Sequence, residues 1–307
     1  MPMIKADDIA YVRFSAPDLD KMEAFLSDFG LVRAARDSTT LYMKGVGSDP
    51  FIHVTHRGEP GFAGVAFRAL SVGDLEILAK MSEATIEAFE GPGGGKVVRL
   101  RDPDGFLVEA VAGREAVAAG PTPPAQLTND SRAQPRSNAP KLVGNGSSHI
   151  KRLGHCVLNV TNFRASEAWY KDHFGFITSD EIKMSPEFSL GAFMRCDRGD
   201  KPADHHTLFL LGTGAPKFNH AAYEVTDFDD LMSGHDVLKD KAYTHQWGIG
   251  RHFLGSQIFD YWRDPWGHTL EHWTDGDVMT ASWGSRDATP MDLMGVQWGM
   301  KMPADMG

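Results

Sequence analysis

The same short motif occurs twice in the chain, at matching positions of its two halves. Residues 101–105 read RDPDG and precede Glu109, and residues 263–267 read RDPWG and precede Glu271. The spacing from Arg to Glu is eight residues in both copies. A single RDPxG is a common turn signal, but two copies at matching positions indicate an internal repeat. The chain must therefore fold as two related units.

A segment without hydrophobic periodicity separates the halves. Residues 113–148 are rich in Pro, Ala, Gly, Ser and Asn, which is expected between domains and not within one. We therefore predict an N-terminal domain over 1–112, a linker over 113–148 and a C-terminal domain over 149–273. Residues 274–307 contain Trp283, Trp298 and several methionines, so we expect this tail to pack as a lid or along a subunit contact.

Each half shows short strands and few helices. TTLYMKG, FIHVTHR and GVAFRAL are typical strands of the first half, and SLGAFMRC, HTLFLLG and HAAYEVT are their counterparts. In the second half an amphipathic helix begins after Asn162, ends at Gly175 and has Phe163, Tyr170 and Phe174 on its apolar face, together with Trp169. The pattern is strand-helix-strand-strand-strand, used more than once per half. It predicts an α+β fold with mostly antiparallel, open curved sheets.

Composition excludes several functions. The net charge of −10 argues against general nucleic-acid binding, and no apolar run is long enough to cross a membrane. The start lacks a signal-peptide pattern, and Cys156 and Cys196 are too few for a disulfide scaffold, so we expect a cytoplasmic location. We expect Cys156 to lie in the core.

Three residues at strand positions of the second half point to a metal. His155, His220 and Glu271 together offer two imidazoles and one carboxylate, a set that suits Fe(II) or Mn(II) and leaves open coordination positions. Taken alone, each has an ordinary structural interpretation, and only the shared repeat unit brings them together.

The first half serves as an internal comparison for these positions. Tyr11 stands where His155 stands, and the counterpart of His220 falls near Gly64. Only Glu109 has kept a ligand type. The repeat therefore predicts one metal site per chain, built wholly from the second half.

With these residues in view, the sequence resembles the type I extradiol ring-cleavage dioxygenases of the vicinal-oxygen-chelate superfamily. The resemblance implies tandem βαβββ modules, a metal-less pair and a metal-binding pair, that form two open curved mixed-sheet barrels. It implies His155, His220 and Glu271 as ligands of Fe(II), with Mn(II) as the alternative. The acid-base histidine of the family matches His206, and the adjacent His205 is the second choice. The family's His and Tyr that surround the metal ligands match His252 and Tyr261.

The activity implied by the resemblance is cleavage of a substituted catechol beside its diol, with insertion of both atoms of O2. The catechol would lose protons to His206, which would act first as a base and then as an acid. We expect Phe193, Trp247 and His205 to contact the substrate. Trp247 favours an uncharged substituent on the ring. We also expect the subunits to form a homo-oligomer. The charged Arg251 lies close to Trp247 in the sequence.

Three alternative functions stay open at this point. The same site would suit ring cleavage of a trihydroxylated aromatic or a hydroquinone. A glyoxalase-type isomerase or transferase is a second possibility, although such enzymes usually take ligands from two modules. An antibiotic-binding or storage protein of the same shape is a third, and it would need none of the metal or proton-transfer residues.

Strand alternation makes the site prediction more specific. A three-residue loop, residues 265–267 with Gly267 left-handed, would pair Tyr261 with Glu271, whereas a two-residue loop would not. His268 and His272 would then face away from the site, at the surface or an interface. We expect His235 and His245 to be exposed, and His53 and His56 to pack or face solvent.

Overall fold

The computed structural model describes residues 1–125 and 127–303. Its strands form an eight-stranded sheet, a ten-stranded sheet and a two-stranded ribbon. The first half contains β1 (Ala6–Ala16), α1 (Leu19–Asp28), β2 (Val32–Arg36), β3 (Thr40–Lys44), β4 (His53–Arg57), β5 (Gly61–Ala69), α2 (Val72–Met81), β6 (Ile86–Ala88), β7 (Lys96–Arg101) and β8 (Leu107–Ala112).

The second half repeats this order and then adds a C-terminal segment. Its repeat contains β9 (Ile150–Val160), α3 (Phe163–Phe174), β10 (Ile177–Ser185), β11 (Phe188–Arg195), β12 (Ala203–Asp204), β13 (Leu208–Gly212), β14 (Lys217–Val225), α4 (Phe228–Asp240), β15 (Thr244–His252), β16 (Ile258–Arg263) and β17 (Thr269–Thr274). The added segment contains β18 (Val278–Met279), a 3-10 turn (Ala281–Trp283), β19 (Arg286–Ala288), α5 (Pro290–Met294) and β20 (Val296–Gly299).

Each half therefore consists of two βαβββ units joined edge to edge. The first sheet has the order β2-β3-β4-β1-β5-β8-β7-β6, and the second has the order β19-β10-β11-β13-β9-β14-β17-β16-β15-β20. The two units of a half meet at an antiparallel pair, β1 with β5 and β9 with β14. The first and last strands of a unit pair in parallel in all four units: β1 with β4, β5 with β8, β9 with β13 and β14 with β17. The predicted α+β class and tandem modules are confirmed.

Helix α3 matches its prediction at both ends. The Asn162 side chain accepts from the Ala165 N–H at the start, and Gly175 ends the helix in a left-handed conformation. Phe163, Tyr170 and Phe174 are buried against the sheet. Burial of large aromatic side chains is the main source of stability for such a helix.

The two halves pack against each other through buried histidines. His272 is fully buried, stacks on Phe29 and makes a 2.7 Å hydrogen bond to its carbonyl oxygen. His53 makes a 2.8 Å hydrogen bond through Nδ1 to the Tyr223 hydroxyl. His272 therefore lies at an interface between the halves, as expected for its face of β17, and His53 packs in the interior. Cys156 lies in the apolar core, as predicted.

The strands of the C-terminal segment pair with strands of the second half. β18 pairs with β12, β19 with β10, and β20 with β15. Residues 304–307, the end of the predicted tail, lie outside the described residues. Within the described residues, no helix has the length and apolar character needed to cross a membrane.

Candidate metal centre and active site

Three neighbouring strands bring the predicted ligands together. Ala222 of β14 pairs with His155 of β9 on one side and with Glu271 of β17 on the other. His220 lies two residues before Ala222, so its side chain projects from the same face. One ligand atom from each of His155, His220 and Glu271 lies within 4.8 Å of the others.

The hairpin between β16 and β17 has the predicted register. Tyr261 pairs with Glu271, and the Asp264 N–H donates to the His268 carbonyl oxygen over 2.9 Å. Gly267 adopts a φ of +89°, in the left-handed region that glycine favours. The three-residue loop is confirmed, and it places the Tyr261 hydroxyl on the side of the sheet that holds the three ligands.

The carboxylate of Glu271 has the surroundings of a metal ligand. It is fully buried, and neither oxygen has a hydrogen-bond partner. His155 Nε2 and His220 Nε2 lie 3.2 and 3.4 Å from Oε2 without the geometry of a hydrogen bond. Burial raises the pKa of Glu271, but the adjacent imidazoles outweigh it and hold the pKa well below its usual range. A buried anion without hydrogen bonds fits a bound cation.

His220 is oriented by a residue that sequence analysis missed. Its Nδ1 lies 2.8 Å from Asn219 Oδ1, and the Asn219 amide nitrogen donates to Asn159 Oδ1. His220 Nδ1 therefore carries the proton, and Nε2 turns its lone pair toward Glu271, as a ligand requires. Burial lowers the pKa of His220 to about 3, so the imidazole is neutral. A register shift between Phe218 and His220 leaves Asn219 as an extra residue in β14.

The first half shows the same position without a metal ligand set. Tyr11 and Glu109 flank Ala66 in the register that His155 and Glu271 have around Ala222. Here the carboxylate has partners: it accepts from the Tyr11 hydroxyl and from the guanidinium groups of Arg13 and Arg99. The contrast within one chain supports a cation at Glu271 and none at Glu109.

A cavity opens beside the three ligands. The predicted acid-base residue His206 lies with its ring centroid 3.9 Å from that of His155. His252 Nε2 lies 2.9 Å from the Tyr261 hydroxyl. Burial lowers the pKa of His206 well below its usual range and raises that of Tyr261 well above it, so both side chains are neutral. The cavity is lined by His155, Val157, Phe193, His206, Phe209, Leu211, Asn219, His220, Trp247, His252, Leu254, Gln257, Tyr261, Leu293, Met294 and Met302.

Two of the three predicted substrate residues line this cavity. Phe193 stacks on Phe209 with ring centroids 4.0 Å apart, and Trp247 lies parallel to Tyr261. His205 was expected there as well, but it is fully buried and not among the lining residues. Its imidazole lies behind His206, where it contacts that ring and Asp180.

Part of the predicted tail closes one side of the cavity. Leu293, Met294 and Met302 line it, and the Trp247 indole N–H donates to the Met300 carbonyl oxygen over 2.7 Å. This part of the tail lies against the cavity, and its role as a lid or a subunit contact stays a prediction. Arg251 points elsewhere, because its guanidinium contacts the Ser256 carbonyl oxygen and Asp275.

A second group of histidines lies apart from the ligand triad. His235 and His245 were expected to be exposed, but both are half-buried and contact Asp260 at 3.1 and 2.8 Å. The prediction is wrong because a fully buried carboxylate attracts them. The Trp262 indole N–H also donates to Asp260, so the carboxylate accepts from three N–H groups. These hydrogen bonds satisfy it without a metal.

This group predicts a pH dependence of stability. The hydrogen bond to Asp260 raises the pKa of His235. A raised pKa gives stability that is complete below about pH 6.5, the ordinary value, and that is lost as the pH rises through the folded-state value. Buried histidines with lowered pKa values, such as His53, change the free energy of unfolding only below about pH 6.5, because they are neutral in both states above it. We expect the free energy of unfolding of the metal-free protein to fall above pH 6.5, measured by urea denaturation.

His235→Gln provides the control for this prediction. Glutamine keeps a donor for Asp260 but does not titrate, so the fall above pH 6.5 should become smaller. An unchanged slope in the variant would assign the pH dependence to other groups.

Comparison with known proteins finds a superfamily match in the second half and similar enzymes over nearly the whole chain. The model of the Glyoxalase/Bleomycin resistance protein/Dioxygenase superfamily matches residues 152–272. Metapyrocatechase 2 of Cupriavidus necator is 27% identical over 98% of this chain and 92% of its own length. The manganese-dependent 2,3-dihydroxybiphenyl 1,2-dioxygenase of Geobacillus genomosp. 3 is 26% identical over 87% and 84%. The iron-dependent extradiol dioxygenase of Rhodococcus jostii is 25% identical over 96% and 98%.

The chain is similar to extradiol dioxygenases over nearly its full length, and residues 152–272 match the superfamily model. Solved structures share the fold over nearly the full length. The substrate complex of homoprotocatechuate 2,3-dioxygenase from Brevibacterium fuscum has a TM-score of 0.82 at 18% identity, covering 99% of this chain and 92% of that one. The Mn(II)-bound glyoxalase of Novosphingobium aromaticivorans has a TM-score of 0.77 at 24% identity, covering 97% and 93%. The extradiol dioxygenase resemblance found in the sequence is confirmed.

Proposed function

We propose that this chain cleaves the ring of a substituted catechol beside its diol and inserts both atoms of O2. The observation that carries the proposal is the buried Glu271 carboxylate, which lacks hydrogen bonds and faces two imidazoles at the edge of an apolar cavity. We propose that His155, His220 and Glu271 hold Fe(II), with Mn(II) as the alternative. That ion supplies the Lewis acidity and the redox chemistry of ring cleavage.

The remaining polar groups of the cavity control protons. We propose that His206 accepts a proton from a substrate hydroxyl and returns it as the ring opens. Its imidazole is neutral before substrate binds, so it is ready to accept. Tyr261 keeps its proton at neutral pH and donates a hydrogen bond toward the substrate, while His252 orients its hydroxyl. Apolar side chains around them exclude water.

The lining of the cavity favours an uncharged ring substituent. The titratable side chains that line it are four histidines and Tyr261, and none of the lining residues described is Lys or Arg. A carboxylate on the ring would be buried without a cationic partner. We expect kcat/KM for a neutral 3-alkylcatechol to be about 10- to 100-fold higher than for the carboxyalkyl analogue of equal length. This factor corresponds to the free-energy cost of leaving one buried polar group unpaired. A preference for the carboxylated analogue would contradict this.

The proposed function is tested on anaerobically purified protein. The apoprotein is loaded with Fe(II) or Mn(II) and offered a panel of catechols under 18O2. We expect equal consumption of O2 and catechol, a yellow ring-fission product and both labelled atoms in that product. Lack of O2 uptake with every diol after Fe(II) loading would refute the proposal. Faster turnover of a hydroquinone or a trihydroxylated ring would favour that alternative substrate class.

A glyoxalase-type reaction is the second candidate, since one neighbour in fold carries that name. Ligand origin does not separate the two candidates, because His155 comes from one βαβββ unit of the second half and His220 and Glu271 come from the other. The dioxygenase is favoured by curated relatives named as extradiol dioxygenases, which are similar over nearly the full chain. Isomerisation of a thiohemiacetal without O2 uptake would decide for the second candidate.

The location and the assembly state are proposed from the thiols and from exposed apolar side chains. Two buried free thiols, Cys156 and Cys196, fit a reducing cytoplasm. The exposed apolar side chains of Phe253, Met291 and Trp298 near the covering segment fit a homo-oligomer. Sedimentation velocity will measure the assembly state.

A further inference from the structure

A chain of polar side chains runs from the protein surface to the back of His206. Arg286 of β19 donates through Nε and one terminal nitrogen to the two oxygens of Asp180, over 2.8 and 2.9 Å. His205 Nε2 lies 2.7 Å from Asp180 Oδ2, and His205 Nδ1 lies 3.0 Å from His206 Nδ1. His205 and Asp180 are both fully buried.

We propose that His205 is a positioning residue that fixes His206 in the tautomer with the proton on Nδ1, so that Nε2 faces the substrate as an acceptor. The role of His206 in turnover rests on the proposed function. The tautomer itself is a property of the metal-free chain and is tested separately.

The protonation state of Asp180 determines which atoms donate and which accept along this chain of hydrogen bonds. Burial acts to raise the pKa of Asp180, but hydrogen bonds from His205 and Arg286 hold it below its usual range. Asp180 is therefore an anion that only accepts, and His205 Nε2 must carry the proton that it donates.

Charge balance then decides the state of His205. The half-exposed Arg286 already neutralises Asp180 through two hydrogen bonds, so a cationic His205 would leave a buried positive charge without a balancing anion. A neutral imidazole with its proton on Nε2 has a lone pair on Nδ1. The contact between the two Nδ1 atoms can form a hydrogen bond only if His206 donates.

The result for His206 follows directly. With the proton on Nδ1 and directed at His205, Nε2 carries the lone pair, and the ring lines the cavity beside His155. A base that takes a proton from a substrate hydroxyl needs this tautomer. The C-terminal segment takes part, because Arg286 belongs to a strand that pairs with β10.

Nitrogen-15 NMR of histidine-labelled, metal-free protein at one neutral pH tests the tautomer directly. We expect His206, assigned by the resonances that disappear in His206→Gln, to show a protonated Nδ1 and an unprotonated Nε2. A protonated Nε2 in the wild-type chain would overturn the proposal, whether or not the enzyme cleaves catechols. Conversely, the expected tautomer in a protein that cleaves no diol would refute only the proposed function.

Two variants of His205 test the effect on turnover. Glutamine can accept from His206 and donate to Asp180 with one amide group, whereas leucine can do neither. We expect His205→Leu to lower kcat about 10-fold, the equivalent of one hydrogen bond, with little change in KM. His205→Gln should recover most of the loss. Equal kcat in all three proteins, or a loss in KM alone, would overturn the positioning role.

Discussion

Glu271→Gln is expected to abolish metal binding while leaving the fold intact. Removal of a residue that hydrogen-bonds to a ligand lowers metal affinity by about 10- to 100-fold. Removal of the charge of a ligand itself should therefore lower metal affinity by more than about 100-fold. The affinity for Fe(II) is measured by anaerobic titration of the apoprotein, and turnover is measured by O2 uptake. Because neither Glu271 oxygen accepts a hydrogen bond from the protein, circular dichroism and urea denaturation should show a folded variant.

Glu109→Gln is the matched control, because it changes the same position of the other half. Here the carboxylate accepts from Tyr11, Arg13 and Arg99, and Arg13 is largely buried. Loss of the anion leaves a buried guanidinium unpaired, so the free energy of unfolding should fall by about 3 kcal/mol, the lower end of the range because Arg99 is 36% exposed. Iron affinity should not change. Loss of iron in Glu109→Gln, or its retention in Glu271→Gln, would contradict the assignment of the site.

His206→Ala is expected to lower turnover by about 100- to 10,000-fold, the usual contribution of a general acid-base group. Iron content should remain at the wild-type level, because the ligand atoms come from His155, His220 and Glu271. Metal analysis and O2 uptake on the same preparation separate the two effects. A parallel loss of iron and turnover would make His206 a structural support of the metal and not a proton carrier.

His268→Ala controls for the loss of a histidine near the site. His268 precedes the strand of Glu271 but contacts Asp264, on the hairpin loop. We expect turnover to stay within twofold of wild type. His205→Ala should fall between the two variants, because it removes the partner of His206 and not the base itself.

Much of this site follows from the sequence because the repeat supplies positions. Two copies of one unit show which residues correspond, so His155, His220 and Glu271 stand out against Tyr11 and Glu109. Strand alternation and loop length then give the register of Tyr261 and Glu271. These are local rules, and a single chain contains all the information they need.

Other parts of the site depend on features that a sequence pattern does not carry. Asn219 would face away from His220 in a regular strand, and only the extra residue in β14 allows both to line the cavity. His205 and His206 are adjacent in the chain, so spacing alone does not tell which one faces the substrate. The partner of His235 and His245 is Asp260, and that contact forms only when α4, β15 and β16 pack together.

The first half differs from the metal-site half in its backbone as well as in its side chains. Two guanidinium groups now provide around Glu109 the double positive charge that a divalent ion would provide. At the position equivalent to His220, any side chain on Gly64 would place its first carbon 2.7 Å from the Leu107 carbonyl oxygen. Exchange of Tyr11, Arg13 and Arg99 alone would therefore not restore a site there. A metal site could be built in this half only if β5 first moved away from β8, so the difference between the halves is held by the main chain as well as by side chains.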